Sequence, residues 1–192
     1  MSAICIIPAR AGSRRIPGKN KKLFHGKPII LYSLIAARES GLFDRIVVST
    51  DDLDIVQIAT EFGAEVHYRD AETAHDGVGT QEVTRRVLED EGGQYERACC
   101  IYPTAPLMDI SDLLSGYLAI EDHRFAFSVG TDPLCDAGQF YWGKTKAFLR
   151  GLPLISPCTE IIPVDKRRVC DINTQEDWDR ALRMYEELYK ND

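Results

Sequence analysis

No apolar run in the 192 residues approaches the roughly 18 that a membrane-spanning helix needs. The opening residues, Met1-Ser2-Ala3-Ile4-Cys5-Ile6-Ile7, lack a basic stretch and run straight into a strand-like segment, which predicts a cytoplasmic protein without a signal peptide. No C-x-x-C pair is formed by Cys5, Cys99, Cys100, Cys135, Cys158 and Cys170, and adjacent Cys99 and Cys100 point to opposite faces of a strand. The cysteines therefore read as small buried hydrophobes in a reducing compartment rather than as disulfides or a zinc site. Positive charge is in deficit: 23 Lys and Arg against 30 Asp and Glu leave a net charge of −7, which argues against binding a nucleic acid. Two phosphate-binding signatures are missing as well. Five residues, not four, separate Gly12 from Gly18-Lys19, and Asn20 stands where a Walker A loop needs Ser or Thr; G-x-G-x-x-G does not occur.

What is present is ordinary globular composition, 44% hydrophobic and 28% charged, with the charge unevenly placed. Between Ala9 and Arg38 stand Arg10, Arg14, Arg15, Lys19, Lys21, Lys22, Lys27 and Arg38, with no carboxylate among them. A short basic stretch on an acidic chain suits a compact polyanion such as a nucleoside triphosphate.

Apolar runs and helical patterns alternate. Ala3–Pro8 predicts a buried strand, Ala9–Lys22 a loop, and Pro28–Ser40 a helix stopped by Gly41. Arg45–Ser49 predicts a strand, after which Asp51 or Asp52 caps a helix running to Phe62 and stopped by Gly63. Strands at Glu65–Tyr68, Arg97–Tyr102 and Phe125–Val129 and helices at Thr80–Glu91 and Ile110–Asp122 continue the rhythm, with Thr80 read as a helix cap. Thr131–Arg168 breaks it, and Thr174-Gln-Glu-Asp177 opens a last helix over Glu176–Tyr189 as a capping box. The alternation predicts one α/β domain with a mostly parallel sheet covered by helices on both faces.

The first strand delivers the chain to Pro8-Ala9-Arg10-Ala11-Gly12-Ser13-Arg14, followed by Lys19-Asn20 and Gly26-Lys27-Pro28. This loop resembles the signature of the CMP-sugar synthetases, the cytidylyltransferases that activate nine-carbon acidic sugars. Val48-Ser49-Thr50-Asp51-Asp52, Pro103-Thr104-Ala105-Pro106 and Asp171-Ile172-Asn173-Thr174 extend the match over nearly the whole chain. Cys100-Ile101-Tyr102-Pro103 and Asp136-Ala137-Gly138-Gln139-Phe140-Tyr141-Trp142 look most like the branch acting on pseudaminic acid, with sialic or legionaminic acid as the alternative acceptor. A catalytically weak nucleotide-binding homologue is the other alternative.

The resemblance implies a three-layer, doubly wound sheet of the nucleotide-diphospho-sugar transferase type over residues 1–192. It implies CTP and an acidic nine-carbon sugar as substrates, with Mg²⁺ as cofactor and a homodimer. Arg10 and Lys19 would hold the triphosphate, with Ala9, Ala11, Gly12, Ser13 and Asn20 lining the nucleotide and Arg69 and Asp76 completing its pocket. Tyr102, Gln139 and Tyr141 would border the sugar. Asp171 would carry the metal and act in catalysis, paired with Asn173 where the family has a second Asp. Only Gly130 to Cys135 separates Val129 from Asp136, so the acceptor and dimerisation region around 130–168 is shorter than the family's.

Overall fold

The computed structural model describes residues 2–70, 74–75 and 77–190. Its central sheet has the order β5-β4-β1-β6-β8-β7-β9. These strands are β1 (Ala3–Pro8), β4 (Arg45–Thr50), β5 (Glu65–Tyr68), β6 (Arg97–Ile101), β7 (Phe125–Thr131), β8 (Leu134–Lys144) and β9 (Thr159–Pro163). All run parallel except β8, which pairs antiparallel with β6 and β7. A separate two-residue pair, β2 (Leu23–Phe24) and β3 (Lys27–Pro28), folds the end of the basic segment into a hairpin.

Strand alternation sorts the core into two layers. On one face Ala3, Cys5 and Ile7 meet helices α1 (Ile30–Ser40), α2 (Leu53–Phe62) and α4 (Ile110–Ala119). On the other Ile4 and Ile6 meet α3 (Thr80–Asp90) and α5 (Thr145–Leu149). Cys99 and Cys100 fall on opposite faces, as their adjacency requires. All six cysteines are free; Cys135 is exposed and Cys158 half-buried, so the buried reading holds for the other four. Helix α6 (Gln175–Leu188) packs Trp178 and Ala181 against Phe24 and Ile29 in a third cluster.

The punctuation residues act where expected. Gly41 and Gly63 end α1 and α2 at φ +64° and +88°, conformations that favour glycine. Thr174 and Asp177 form the reciprocal capping box of α6. Two readings need correction and one is narrowed. Pro28 closes the small hairpin, and α1 begins two residues later. Asp52 alone caps α2, accepting from the Asp54 amide at 3.0 Å. Gly79 rather than Thr80 occupies the cap of α3, and the Thr80 hydroxyl instead accepts from Tyr141 Oη at 3.0 Å.

The segment that broke the rhythm is the β7–β8 hairpin followed by α5 and the edge strand β9. Register slips between Phe127 and Val129, where Ser128 Oγ donates to the Phe140 carbonyl and accepts from its amide. The extra residues bulge out of β8 and carry Asp136 and Gly138 towards the chain entering α6.

Candidate active site

From β1 the chain first builds β4 and β5 on one side, then returns to lay β6 on the other. The carboxyl ends of β1 and β6 thus flank a topological switch point, the place where open α/β sheets bind ligands. A cavity of about 330 Å³ lies there. Arg10, Ser13, Arg15, Lys19 and Asn20 from the basic loop line it, with Arg69 from the end of β5. Tyr102 and Thr104 follow β6 into its wall, and Asp136, Asp171 and Asn173 close the side towards α6.

The loop is tied down by its own backbone. Ala9 donates to the Ser49 carbonyl at 2.8 Å, and its carbonyl accepts from the Thr50 hydroxyl at 2.6 Å. The Ala11 amide donates to Asp51 Oδ1 at 2.8 Å, so Asp51 anchors this loop instead of capping a helix. Ala9 is buried and Ala11 and Gly12 are exposed, and none of the three lines the cavity. Asn20 is buried; its Nδ2 donates to the Arg10 carbonyl at 3.0 Å, leaving Oδ1 buried without a partner. An unpartnered buried acceptor beside a cavity is a ready place for a ligand donor.

Lys19 reaches across to donate to the Ile172 carbonyl at 2.6 Å, joining the basic loop to the Asp171 segment. Burial holds its pKa below the usual lysine range, opposed by Asp171 and reinforced by Arg15 and Arg10. Arg69 is buried, and its pKa is lowered by burial, with Arg10 adding to the shift and Asp51 opposing it. Cations gathered so that they depress one another's ionisation form a field that an anion relieves. Not every cation of the basic segment joins this field. Lys21 pairs with Asp52 and Asp54 at 2.8 and 2.7 Å, and Lys22 lies over the Trp178 ring at 4.5 Å.

On the opposite wall Tyr102 Oη donates to Asp136 Oδ2 at 3.0 Å, and Asp136 Oδ1 accepts from the Gly138 amide at 2.7 Å. Burial pushes the Asp136 carboxyl above the usual carboxylate range, and Asp171 adds to the shift against these two hydrogen bonds. Gly138, at φ +71°, lies so close to Asp171 that a Cβ would stand 2.5 Å from the Asp171 Cα.

Asn173 sits differently from the sequence expectation. Its Oδ1 accepts from Arg15 Nη2 at 3.0 Å and its amide donates to Asp171 Oδ2, so it supports that carboxylate and turns no free oxygen to a metal. Among the described residues no group of three His, Cys, Asp or Glu side chains forms a metal cage. The donor set fits a divalent cation that takes one or two carboxylates and fills the rest of its coordination with other oxygens.

Gln139 and Tyr141 share one face of β8, but they lie 2% and 1% exposed beneath the cavity rather than on its surface. Gln139 Nε2 donates to the Arg168 carbonyl at 3.0 Å. Both faces of β8 are covered there, and of the three expected residues only Tyr102 lines the cavity. Asp76 lies outside the described residues. Sequence reasoning left Asp136 out of the site; its signal was an acid two residues before a glycine inside an apolar strand.

The architecture is that of a nucleotidyltransferase. CMP:2-keto-3-deoxy-manno-octonic acid synthetase, solved with CTP, superposes with a TM-score of 0.76 over 98% of this chain and all of that one, at 14% identity. A Mycobacterium tuberculosis protein solved with manganese superposes at 0.73 over 95% of this chain and 99% of that one, at 16% identity. Residues 4–140 match the cytidylyltransferase family model, and the chain belongs to that family. Pseudaminic acid cytidylyltransferase of Campylobacter jejuni is 31% identical over 224 positions, covering 96% of this chain and 97% of the relative. Those 224 positions exceed the 192 residues here, so the relative carries residues that this chain lacks. No described helix is long and apolar enough to cross a membrane.

Proposed function

We propose that this chain transfers the cytidylyl group of CTP to the anomeric hydroxyl of a nine-carbon acidic sugar, with pseudaminic acid as the favoured acceptor. The observation that carries this reading is the cavity at the switch point, where Arg10, Arg15, Lys19 and Arg69 face Asp136 and Asp171. Full-length similarity to a pseudaminic acid cytidylyltransferase supports the choice of acceptor.

In the reaction the anomeric hydroxyl loses its proton to water as its oxygen forms a bond to the α-phosphorus, the α–β phosphoanhydride bond breaks, and pyrophosphate leaves. Such a transfer needs position and charge more than covalent help. Arg10, Arg15 and Lys19 hold the triphosphate and take up the charge that grows on departing pyrophosphate. Gly12 keeps the loop open, since a Cβ there would stand 3.2 Å from Arg10 Nη1. Ser13, Asn20 and Arg69 contact the nucleoside, Asn20 through its spare Oδ1. Asp171, held by Asn173 and packed on Gly138, is the residue that holds Mg²⁺. When bound, the ion neutralises phosphate charge. Tyr102 and Asp136 border the acceptor side.

The test is pyrophosphate release from CTP and Mg²⁺ with pseudaminic acid, legionaminic acid and N-acetylneuraminate in parallel. Pseudaminic acid is expected to give the fastest release. A faster rate with either other sugar would move the acceptor assignment, and CTP binding with no release from any of the three would overturn transferase activity.

A further inference from the structure

A second cavity, of about 490 Å³, opens beside the first. Asp136 and Asp171 belong to the walls of both, so two carboxylates form the partition between them. The hairpin residues Thr131, Asp132 and Pro133 bound one side, and Lys166 and Arg180 are the two cations on its wall. Arg180 is half exposed and only loosely held, its Nη2 3.4 Å from Asp177 Oδ1. Its positive charge acts on the Cys170 thiol, one residue before Asp171, against the effect of burial.

That position matters because of the acceptor's chemistry. In a 2-keto acid sugar the anomeric carbon carries both the attacking hydroxyl and the carboxylate. A hydroxyl presented to the α-phosphate at the partition therefore brings the carboxylate, bonded to the same anomeric carbon, to the same place. Asp136 and Asp171 alone would repel it, and burying a second anion there without a partner is costly. Arginine supplies a planar pair of donors that matches a carboxylate.

We propose that Arg180, assisted by Lys166 across the same cavity, recognises the acceptor's carboxylate and makes the enzyme select an acid over a neutral sugar. The inference rests on the acceptor class assigned under Proposed function, and it deepens that assignment to named residues. It also gives the short connection a role: with only six residues from Gly130 to Cys135, recognition passes to the chain around α6.

The test titrates pseudaminic acid and its C1 amide into protein saturated with a non-hydrolysable CTP analogue. Wild type is expected to prefer the acid by about 10- to 100-fold, the range for a charge-assisted hydrogen-bonded pair. Arg180→Gln is expected to reduce that preference to within about threefold while leaving Tm and affinity for the nucleotide unchanged. Arg180→Lys is expected to fall between them. Lys166→Gln, on a different element, is expected to lower the preference in the same direction by a smaller factor. An Arg180→Gln protein that keeps the full acid preference overturns this inference and leaves the transferase reading intact. A wild type that binds neither sugar overturns both.

Discussion

Gly138→Ala tests the contact that couples the sheet to the site. Gly138 sits in the bulge of β8 at φ +71°, where a side chain is disfavoured by about 1–2 kcal/mol. An added Cβ would also stand 2.5 Å from Asp171 Cα, 2.8 Å from its Cβ and 3.0 Å from its amide nitrogen. These atoms cannot rotate aside, because the chain after them is fixed by the Thr174–Asp177 capping box. Overpacking of this kind costs a further 1–3 kcal/mol or so. The combined loss of about 2–5 kcal/mol corresponds to a fall in Tm of roughly 5–15 °C for a chain of this length. Gly151→Ala supplies the control: Gly151 has φ +62° but nothing within 4 Å of its added Cβ. It bears the conformational cost alone. Thermal unfolding of both variants should show Gly138→Ala the less stable by at least about 1 kcal/mol, with weakened CTP–Mg²⁺ binding in that variant only. Equal losses at the two sites would refute the close approach of β8 to Asp171.

Three further perturbations follow from the site's charges. Lys19→Met should weaken CTP binding by about 10- to 100-fold in calorimetry, since one charge-assisted hydrogen bond is worth about 1.5–3 kcal/mol; unchanged affinity would remove Lys19 from the triphosphate site. Asn173→Asp leaves one oxygen on Arg15 and puts a second oxygen where the amide donor to Asp171 stood, so Mg²⁺ affinity of the CTP-loaded protein should rise several-fold; no rise would mean that this second oxygen does not reach the ion. Asp136 has a raised folded-state pKa, so its protonation adds stability below the ordinary carboxylate value, and that stability is lost as pH rises through the folded value. The Tm of wild type relative to Asp136→Asn should therefore increase as pH falls from 7 towards 4; a flat or opposite trend would contradict the burial of that carboxyl.

Local signals placed most of the fold. The all-apolar β1, the glycines ending α1 and α2 and the capping box of α6 each have a cause within a few residues, so sequence shows them. The β7–β8 hairpin and β9 do not: Pro133, Gly138 and Gly143 interrupt the alternation, and β9 is held by pairing with β7, a contact about 34 residues away in sequence. The site divided along the same line. Gathering of cations on the first βα loop was legible from composition. Which of them face the cavity was not, because Lys21 is drawn off by Asp52 and Asp54 and Arg15 is drawn in by Asn173, and both depend on tertiary contacts. Gln139 and Tyr141 looked accessible because alternation marks two faces of a strand without saying whether each is covered. In β8 both are, by α3 and α5 on one side and α4 on the other.

A crystal structure of the protein with CTP and Mg²⁺ tests the central claim most directly. The triphosphate should lie in the switch-point cavity with its oxygens on Arg10, Arg15 and Lys19 and the metal on Asp171. CTP bound elsewhere, with those three side chains directed into solvent, would contradict the account.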